Sequence, residues 1–221
     1  MKMLTVEEAQ ALILAEIQPL EAESVLLEKL GGRIAAADVR CQWPLPGWDN
    51  SAMDGYAVRA ADVSSVPSCL AISDHIAAGD GRPRVLAPGT AARIFTGALL
   101  PDGADTVIVQ EDTVRDGDSV QVNCLPRFGQ HIRRAGSDVS AGALICTSGR
   151  VLTPGDISLL ASQGYTETMV YERPVVTILT TGNELRSPGS GRPDRGEIID
   201  GNTVALANAA RAAGGLPNMG A

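Results

Sequence analysis

The chain has 221 residues, a formal net charge of −8 and 44% hydrophobic residues. That length accommodates one or two domains with a core that needs no disulfides. The acidic balance argues against a nucleic-acid-binding protein, which carries a basic stripe, while a few local arginines still suffice to hold an anionic ligand.

Aromatic residues make up only 3%, so Val, Ile, Leu and Ala fill the core, and 24 Gly with 13 Pro predict many turns and short strands. Cys41, Cys69, Cys124 and Cys146 contain no CxxC pair for zinc or redox chemistry. The start is amphipathic and acidic, unlike a signal peptide, so the cysteines read as reduced thiols in a cytoplasm. No apolar run approaches the ~18 residues of a membrane span.

In chain order, residues 5–17 predict a helix. Thr5 and Glu8 fit a capping box, and Val6, Ala9, Leu12, Ile13 and Ile17 share one face. A short strand at 25–27 and a second helix at 28–38 follow. Pro44 and Pro46 then exclude helix. Residues 56–140 read as β-rich: strands at 91–95 and 107–109, and a hairpin over 113–122 turning at Asp116-Gly117 as a type I′ pair. Such spacing predicts a small barrel or sandwich. Thr153 as N-cap, Pro154 at N1 and Gly164 as stop mark another helix. The order helix, β block, helix predicts an inserted β-rich domain.

Residues 175–179 form a β-branched run that predicts a strand buried on both faces of a parallel sheet. A loop (180–193) and a helix (203–213) follow. One strand and one helix do not complete an α/β domain, and the parallel partner strand that should follow is read as missing; residues 216–219 start an element that does not arrive, so the chain is expected to stop inside its last domain. The fold class is α+β multidomain. A helical/mixed first domain (1–43 and 140–173) carries an inserted β-rich domain (44–139), and 174–221 open an α/β domain.

The most informative segment is Asp49-Asn50-Ser51-Ala52-Met53-Asp54-Gly55-Tyr56-Ala57. Asp followed by Gly holds a carboxylate at a turn while the backbone comes close to a ligand; the plain alternative is an Asx-turn leading into the β block. Thr96 in Thr96-Gly97-Ala98 offers a hydroxyl, or merely ends a strand. Arg133 and Arg134 beside Asp138 suit a pocket for phosphate or a similar oxyanion, or a surface salt bridge. The turn Thr180-Thr181-Gly182-Asn183-Glu184 follows the carboxyl end of a strand, where open α/β sheets bind ligands. Asn202, after Ile199-Asp200-Gly201, fits an N-cap or a loop position. His75 and His131 carry no ligand pattern, and Gly79-Asp80-Gly81 lacks the Lys of a P-loop.

Residues 50–57 resemble the signature of the molybdopterin molybdenumtransferases, the MoeA and gephyrin E-domain family. Further matches follow in order: Ile94-Phe95-Thr96-Gly97-Ala98 with Pro101-Asp102-Gly103-Ala104-Asp105, Ile132-Arg133-Arg134-Ala135-Gly136-Ser137-Asp138-Val139, and Leu179-Thr180-Thr181-Gly182-Asn183-Glu184-Leu185. The resemblance implies insertion of molybdenum from molybdate into adenylylated molybdopterin with release of AMP, magnesium association, and a homodimer. It implies a site shared between the β-rich domain of one subunit and the α/β domain of the other. On these positions it implies catalytic roles for Asp54, Thr96 and Asp138. Substrate contacts are implied at Ser51, Arg133, Arg134, Thr181, Gly182 and Asn202, and a metal contact at Glu184. The family more often has Asp where this chain has Asn183. Partners expected are the pterin and molybdate, with no nucleic acid or membrane. The alternative is a non-catalytic fragment that dimerises or scaffolds.

Overall fold

The computed structural model describes residues 3–220. In chain order the elements begin with α1 (Val6–Glu16), β1 (Ala22–Leu26), β2 (Val39–Arg40), β3 (Asn50–Ser51), β4 (Gly55–Val58), β5 (Ser68–Ile76) and β6 (Thr90–Ile94). There follow β7 (Thr106–Val109), β8 (Thr113–Asp116), β9 (Ser119–Val122), β10 (Ile132–Arg133), β11 (Leu144–Cys146) and α2 (Pro154–Ser162). The last are β12 (Glu167–Tyr171), β13 (Val175–Ile178), β14 (Leu185–Arg186), β15 (Ile198–Ile199), α3 (Asn202–Ala212) and β16 (Leu216–Met219). Two compact units result. One is Arg40–Ala143; the other combines the chain up to Val39 with the chain from Leu144 onward.

The Arg40–Ala143 unit is built on a six-stranded sheet in the order β7-β4-β6-β5-β9-β8. Its pairs are antiparallel except β5 with β6. The outermost strands β7 and β8 are joined through a single 3₁₀ turn, Gln110–Asp112. A linker that short brings the two edges together, so the sheet curls, as a six-stranded sheet does when it manages its edges by approaching closure. Successive side chains along a strand point to opposite faces, and both faces are covered here. Tyr56 and Val58 pack with Leu70, Ala91, Ile108, Val120 and Val122, while Ala57 packs with Ile76, Ala92, Ile94 and Val107. The expected small barrel or sandwich is thus a mixed, curled sheet. The β8–β9 hairpin turns one residue later than expected. Asp116 pairs with Ser119, so Gly117 and Asp118 are central. Gly117 alone has positive φ (56°), which fits the type II′ turn rather than I′.

In the other unit, Thr5 caps α1 and Thr153 caps α2, each in a full capping box. Gly164 (φ 75°) follows α2 in the left-handed conformation. β1 pairs antiparallel with β12, Ala22 opposite Tyr171 through Leu26 opposite Glu167.

Two expectations fail in this unit. Residues 28–38 are not a helix; only Leu27–Lys29 turns, as 3₁₀. Gly32 adopts φ 72°, and distant segments take over the helix's donors: Ala35 N–H donates to Arg150 O (2.9 Å), in the loop after β11, and Ala36 N–H to Met169 O (2.9 Å) on β12. The parallel partner of the 175–179 strand is also present. β16 pairs in parallel with β13, Val175 opposite Leu216 through Ile178 opposite Met219. Pro217 is tolerated because β16 is an edge strand. A β13–α3–β16 crossover unit is therefore formed. β13 is not buried on both faces, however; only Ile178 is covered, since the strand has one neighbour and one helix.

Candidate functional site

Segment 49–54 runs between two others. On one side β3 pairs antiparallel with β10, Ser51 opposite Ile132 and Asn50 opposite Arg133. On the other side Ser51 N–H donates to Ala98 O (3.0 Å), Gly97 N–H to Ser51 O (2.8 Å) and Leu100 N–H to Asp49 O (3.0 Å). Three of the four sequence motifs thus meet side by side, although they lie far apart in the chain.

Asp54 and Thr96 are joined directly. Thr96 donates both its backbone N–H (2.8 Å) and its hydroxyl (2.7 Å) to Asp54 Oδ1. The backbone bond first, and then the hydroxyl, hold the Asp54 carboxyl below the ordinary carboxylate range. Asp54 O accepts Gln110 N–H at 3.1 Å. Gly55 is obligatory: a Cβ there would lie 1.9 Å from Ile108 O, so only glycine lets β4 approach β7 this closely.

Ser51 is fully buried. Its hydroxyl donates to Met53 O (2.5 Å) and accepts Met53 N–H (3.3 Å). In this arrangement it shapes the turn that presents Asp54 and does not face solvent. Arg133 pairs with Asp138 (2.5 Å) and Arg134 with Asp49 (2.6 Å), all four side chains being a third or more exposed. Asp49 also accepts Ala135 N–H (2.8 Å), which is the main cause of its lowered pKa, ahead of Arg134. Each guanidinium therefore already has a carboxylate partner within the chain. Beside Thr96, a cleft of about 310 Å³ is lined by Trp48, Gly79, Asp80, Gly81, Gly97 and Leu99.

A separate cluster forms in the crossover unit. Asp200 Oδ2 accepts the hydroxyls of Thr180 (2.7 Å) and Thr203 (2.6 Å), and Oδ1 accepts Thr203 N–H (3.1 Å). The Thr203 and Thr180 hydroxyls lead the causes that lower its pKa to about 2. Asp200 ties the end of β13 to the start of α3, and Gly201, the N-cap residue, makes no side-chain cap of its own. Asp200 was not singled out in the sequence; the signal available was its spacing of three to Thr203, the geometry of a cap. Asn202 is the first residue of α3 and is exposed, as are Thr181 and Gly182 in the loop after β13. The Glu184 carboxylate folds back over Gly182, 2.6 Å from where a Cβ would stand. Among the described residues no three His, Cys, Asp or Glu side chains converge to hold a metal ion.

The chain is similar to known proteins along most of its length. The sequence model described as the MoeA N-terminal region (domain I and II) matches residues 4–164. Molybdopterin molybdenumtransferase 2 of Mycobacterium tuberculosis is 38% identical over 216 residues, covering 96% of this chain and 53% of that protein. The molybdopterin molybdenumtransferase of Nostoc sp. is 38% identical over 201 residues, covering 89% and 46%. The crystal structure of the molybdopterin biosynthesis moeA protein from Pyrococcus horikoshii OT3 superposes with a TM-score of 0.92 at 31% identity, covering 100% of this chain and 60% of that one. The chain spans about half the length of the curated relatives it matches. From the Asp54 turn built by three converging motifs, and from these matches across nearly its whole length, the chain belongs to the MoeA family.

Proposed function

We propose that this chain supplies the Asp54–Thr96 part of a site that inserts molybdenum from molybdate into adenylylated molybdopterin, with release of AMP. The observation that carries the reading is the carboxylate of Asp54, fixed by two donors from one residue at the meeting point of three motifs. The names of the relatives support the substrate class.

A general base works best with a pKa near the operating pH. The donors from Thr96 push Asp54 the other way, so it acts as a permanently ionised acceptor that orients a donor group of the bound substrate. Thr96 spends both its donors on Asp54 and acts by holding it. Arg133 and Asp138 form a paired edge to the same turn, where an incoming oxyanion competes with Asp138 for the guanidinium. The magnesium that the resemblance implies finds no donor set among the described residues, Glu184 alone being too few oxygens for a protein cage, and no step is assigned to it.

In this reading, 1–43 and 140–173 form domain I, 44–139 domain II, and 174–221 the opening of a pterin-binding domain III. Thr181, Gly182 and Asn202 lie where that domain would meet substrate. The protein acts as a homodimer in the cytoplasm. The exposed face of α1 supports the homodimer: none of its residues is buried, with Val6, Leu12, Ile13 and Leu14 all exposed. The four free cysteines suit a reducing compartment. The test is AMP release from adenylylated molybdopterin with molybdate, using the protein as its gene encodes it. AMP and molybdenum-loaded cofactor should appear in equal amounts. Neither product above an enzyme-free control would overturn the reading and favour a scaffold role.

A further inference from the structure

The peptide that carries Asp54 is gripped from a second direction. Gln110 N–H donates to Asp54 O (3.1 Å). The next carbonyl, Gly55 O, accepts Arg93 Nη1 at 2.9 Å, and Arg93 Nη2 donates to Gln110 Oε1 at 2.7 Å. One guanidinium thus ties the backbone leaving Asp54 to the same glutamine whose amide holds the Asp54 carbonyl. Arg93 lies between two rings, 5.2 Å from the centroid of Tyr56 and 4.7 Å from that of Phe95. Its place follows from the sheet: Arg93 stands on β6 opposite Tyr56 of β4, three residues before Thr96. β6 and the turn that follows it therefore deliver both the donors to the Asp54 carboxylate, from Thr96, and the donor to the Gly55 carbonyl, from Arg93.

We infer that Arg93 is a positioning residue of the Asp54 site: its planar fork, bridging Gly55 O and Gln110 Oε1 between Tyr56 and Phe95, fixes the backbone from which Asp54 projects onto Thr96. The inference rests on Asp54 being the functional carboxylate and deepens that reading.

Gly55 has no side chain and no room for one, so its carbonyl is the handle by which a neighbouring strand can hold this turn. A guanidinium reaches two acceptors in fixed directions at once, whereas a lysine ammonium is a single point of charge on a flexible stem. The flanking rings favour a cation and restrict its rotation. Arg93 also adds, as the weakest of the causes, to keeping Asp54 ionised. Its main contribution is therefore geometric.

The Thr96 amide reports the arrangement directly, because its N–H donates to Asp54 Oδ1. The experiment follows that amide by NMR through an acid titration of the 221-residue chain, with Asp54→Asn identifying the Asp54-dependent step. The wild-type signal should be single and should titrate below the ordinary carboxylate range. In Arg93→Met the midpoint should move up toward the ordinary value and the signal should broaden or split as Asp54 samples other orientations. Arg93→Lys should bring the midpoint back toward wild type while the broadening persists. Gln110→Leu, which leaves the cation and rings in place, should broaden the signal with little change of midpoint. A sharp, single Thr96 signal with an unchanged midpoint in Arg93→Met, whatever its melting temperature, would make Arg93 merely structural. If Arg93→Met does not fold, sharp signals in both Arg93→Lys and Gln110→Leu overturn the inference equally. The titration needs no turnover, so loss of the positioning role is distinguishable from loss of the functional reading, which Asp54→Asn activity decides.

Discussion

Gly55→Ala tests whether the close approach of β4 to β7 sets the site. The added Cβ would sit 1.9 Å from Ile108 O, 2.8 Å from Ile108 C and 3.0 Å from Val109 Cα. All three are backbone atoms, so no side chain can swing away. Restoring an ordinary contact of 3.4 Å from 1.9 Å requires the strands to separate by 3.4 − 1.9, about 1.5 Å. That movement breaks the ladder where Gly55 faces Val109 and Tyr56 faces Ile108. Two lost ladder bonds at ~1 kcal/mol each, plus ~1–3 kcal/mol of overpacking strain, give a destabilisation of about 3–5 kcal/mol. For a unit of roughly 100 residues this lowers the melting temperature by at least about 12 °C. The same movement carries Gln110 away from Asp54 O, so the Thr96–Asp54 contact should loosen as well. Thermal melting by circular dichroism measures the effect, with Gly81→Ala as control. Gly81 has no neighbour within 4 Å and no positive φ, so its change should stay within about 1 kcal/mol of wild type. A Gly55→Ala melting temperature indistinguishable from that of Gly81→Ala would refute the reasoning.

Thr96→Val deletes the hydroxyl donor but keeps the larger backbone donor; the Asp54 carboxyl should titrate higher than in wild type yet still below the ordinary range, and an unchanged midpoint would contradict the role given to the hydroxyl. In the folded chain the hydroxyls of Thr203 and Thr180 lower the Asp200 pKa to about 2, well below the ordinary carboxylate range. Its contribution is fully present above the unfolded value and is lost as pH falls from about 4 toward 2. Relative to the intrinsic exchange rate at each pH, the protection of amides at the start of α3 should fall across that window in wild type and stay constant there in Asp200→Asn. Light scattering at tens of micromolar should show a dimer that Leu12→Lys with Ile13→Lys converts to monomer, and a wild-type monomer would remove α1 as the dimer surface.

Features set by neighbours in the chain were readable from residues alone. The Thr5–Glu8 and Thr153–Asp156 caps are local hydrogen bonds, and both appear as read. Residues 28–38 misled because Leu30, Ala35, Ala36 and Ala37 look helical, while carbonyls more than a hundred residues away, at Arg150 and Met169, claim the backbone donors. β16 was missed because Pro217 is a poor strand residue until an edge position excuses it. At the site, each motif was visible singly. The 42-residue bond from Thr96 to Asp54 was not, nor was the inward turn of Ser51, nor the pairing of Arg134 with Asp49, 85 residues apart. Arg93 and Gln110 carried no signal at all, since their meaning lies in strand register and not in spacing.

The most direct measurement of the account is molybdenum insertion by the protein as its gene encodes it, wild type against Asp54→Asn, with melting curves recorded on both. The substitution keeps the size and the acceptor oxygen near Thr96 and removes the charge. The account predicts a melting curve close to wild type and a loss of insertion of at least about a hundredfold, the scale of losing a charge-assisted contact to a reacting group. Wild-type turnover in a folded Asp54→Asn protein would contradict it and reduce Asp54 to a turn residue.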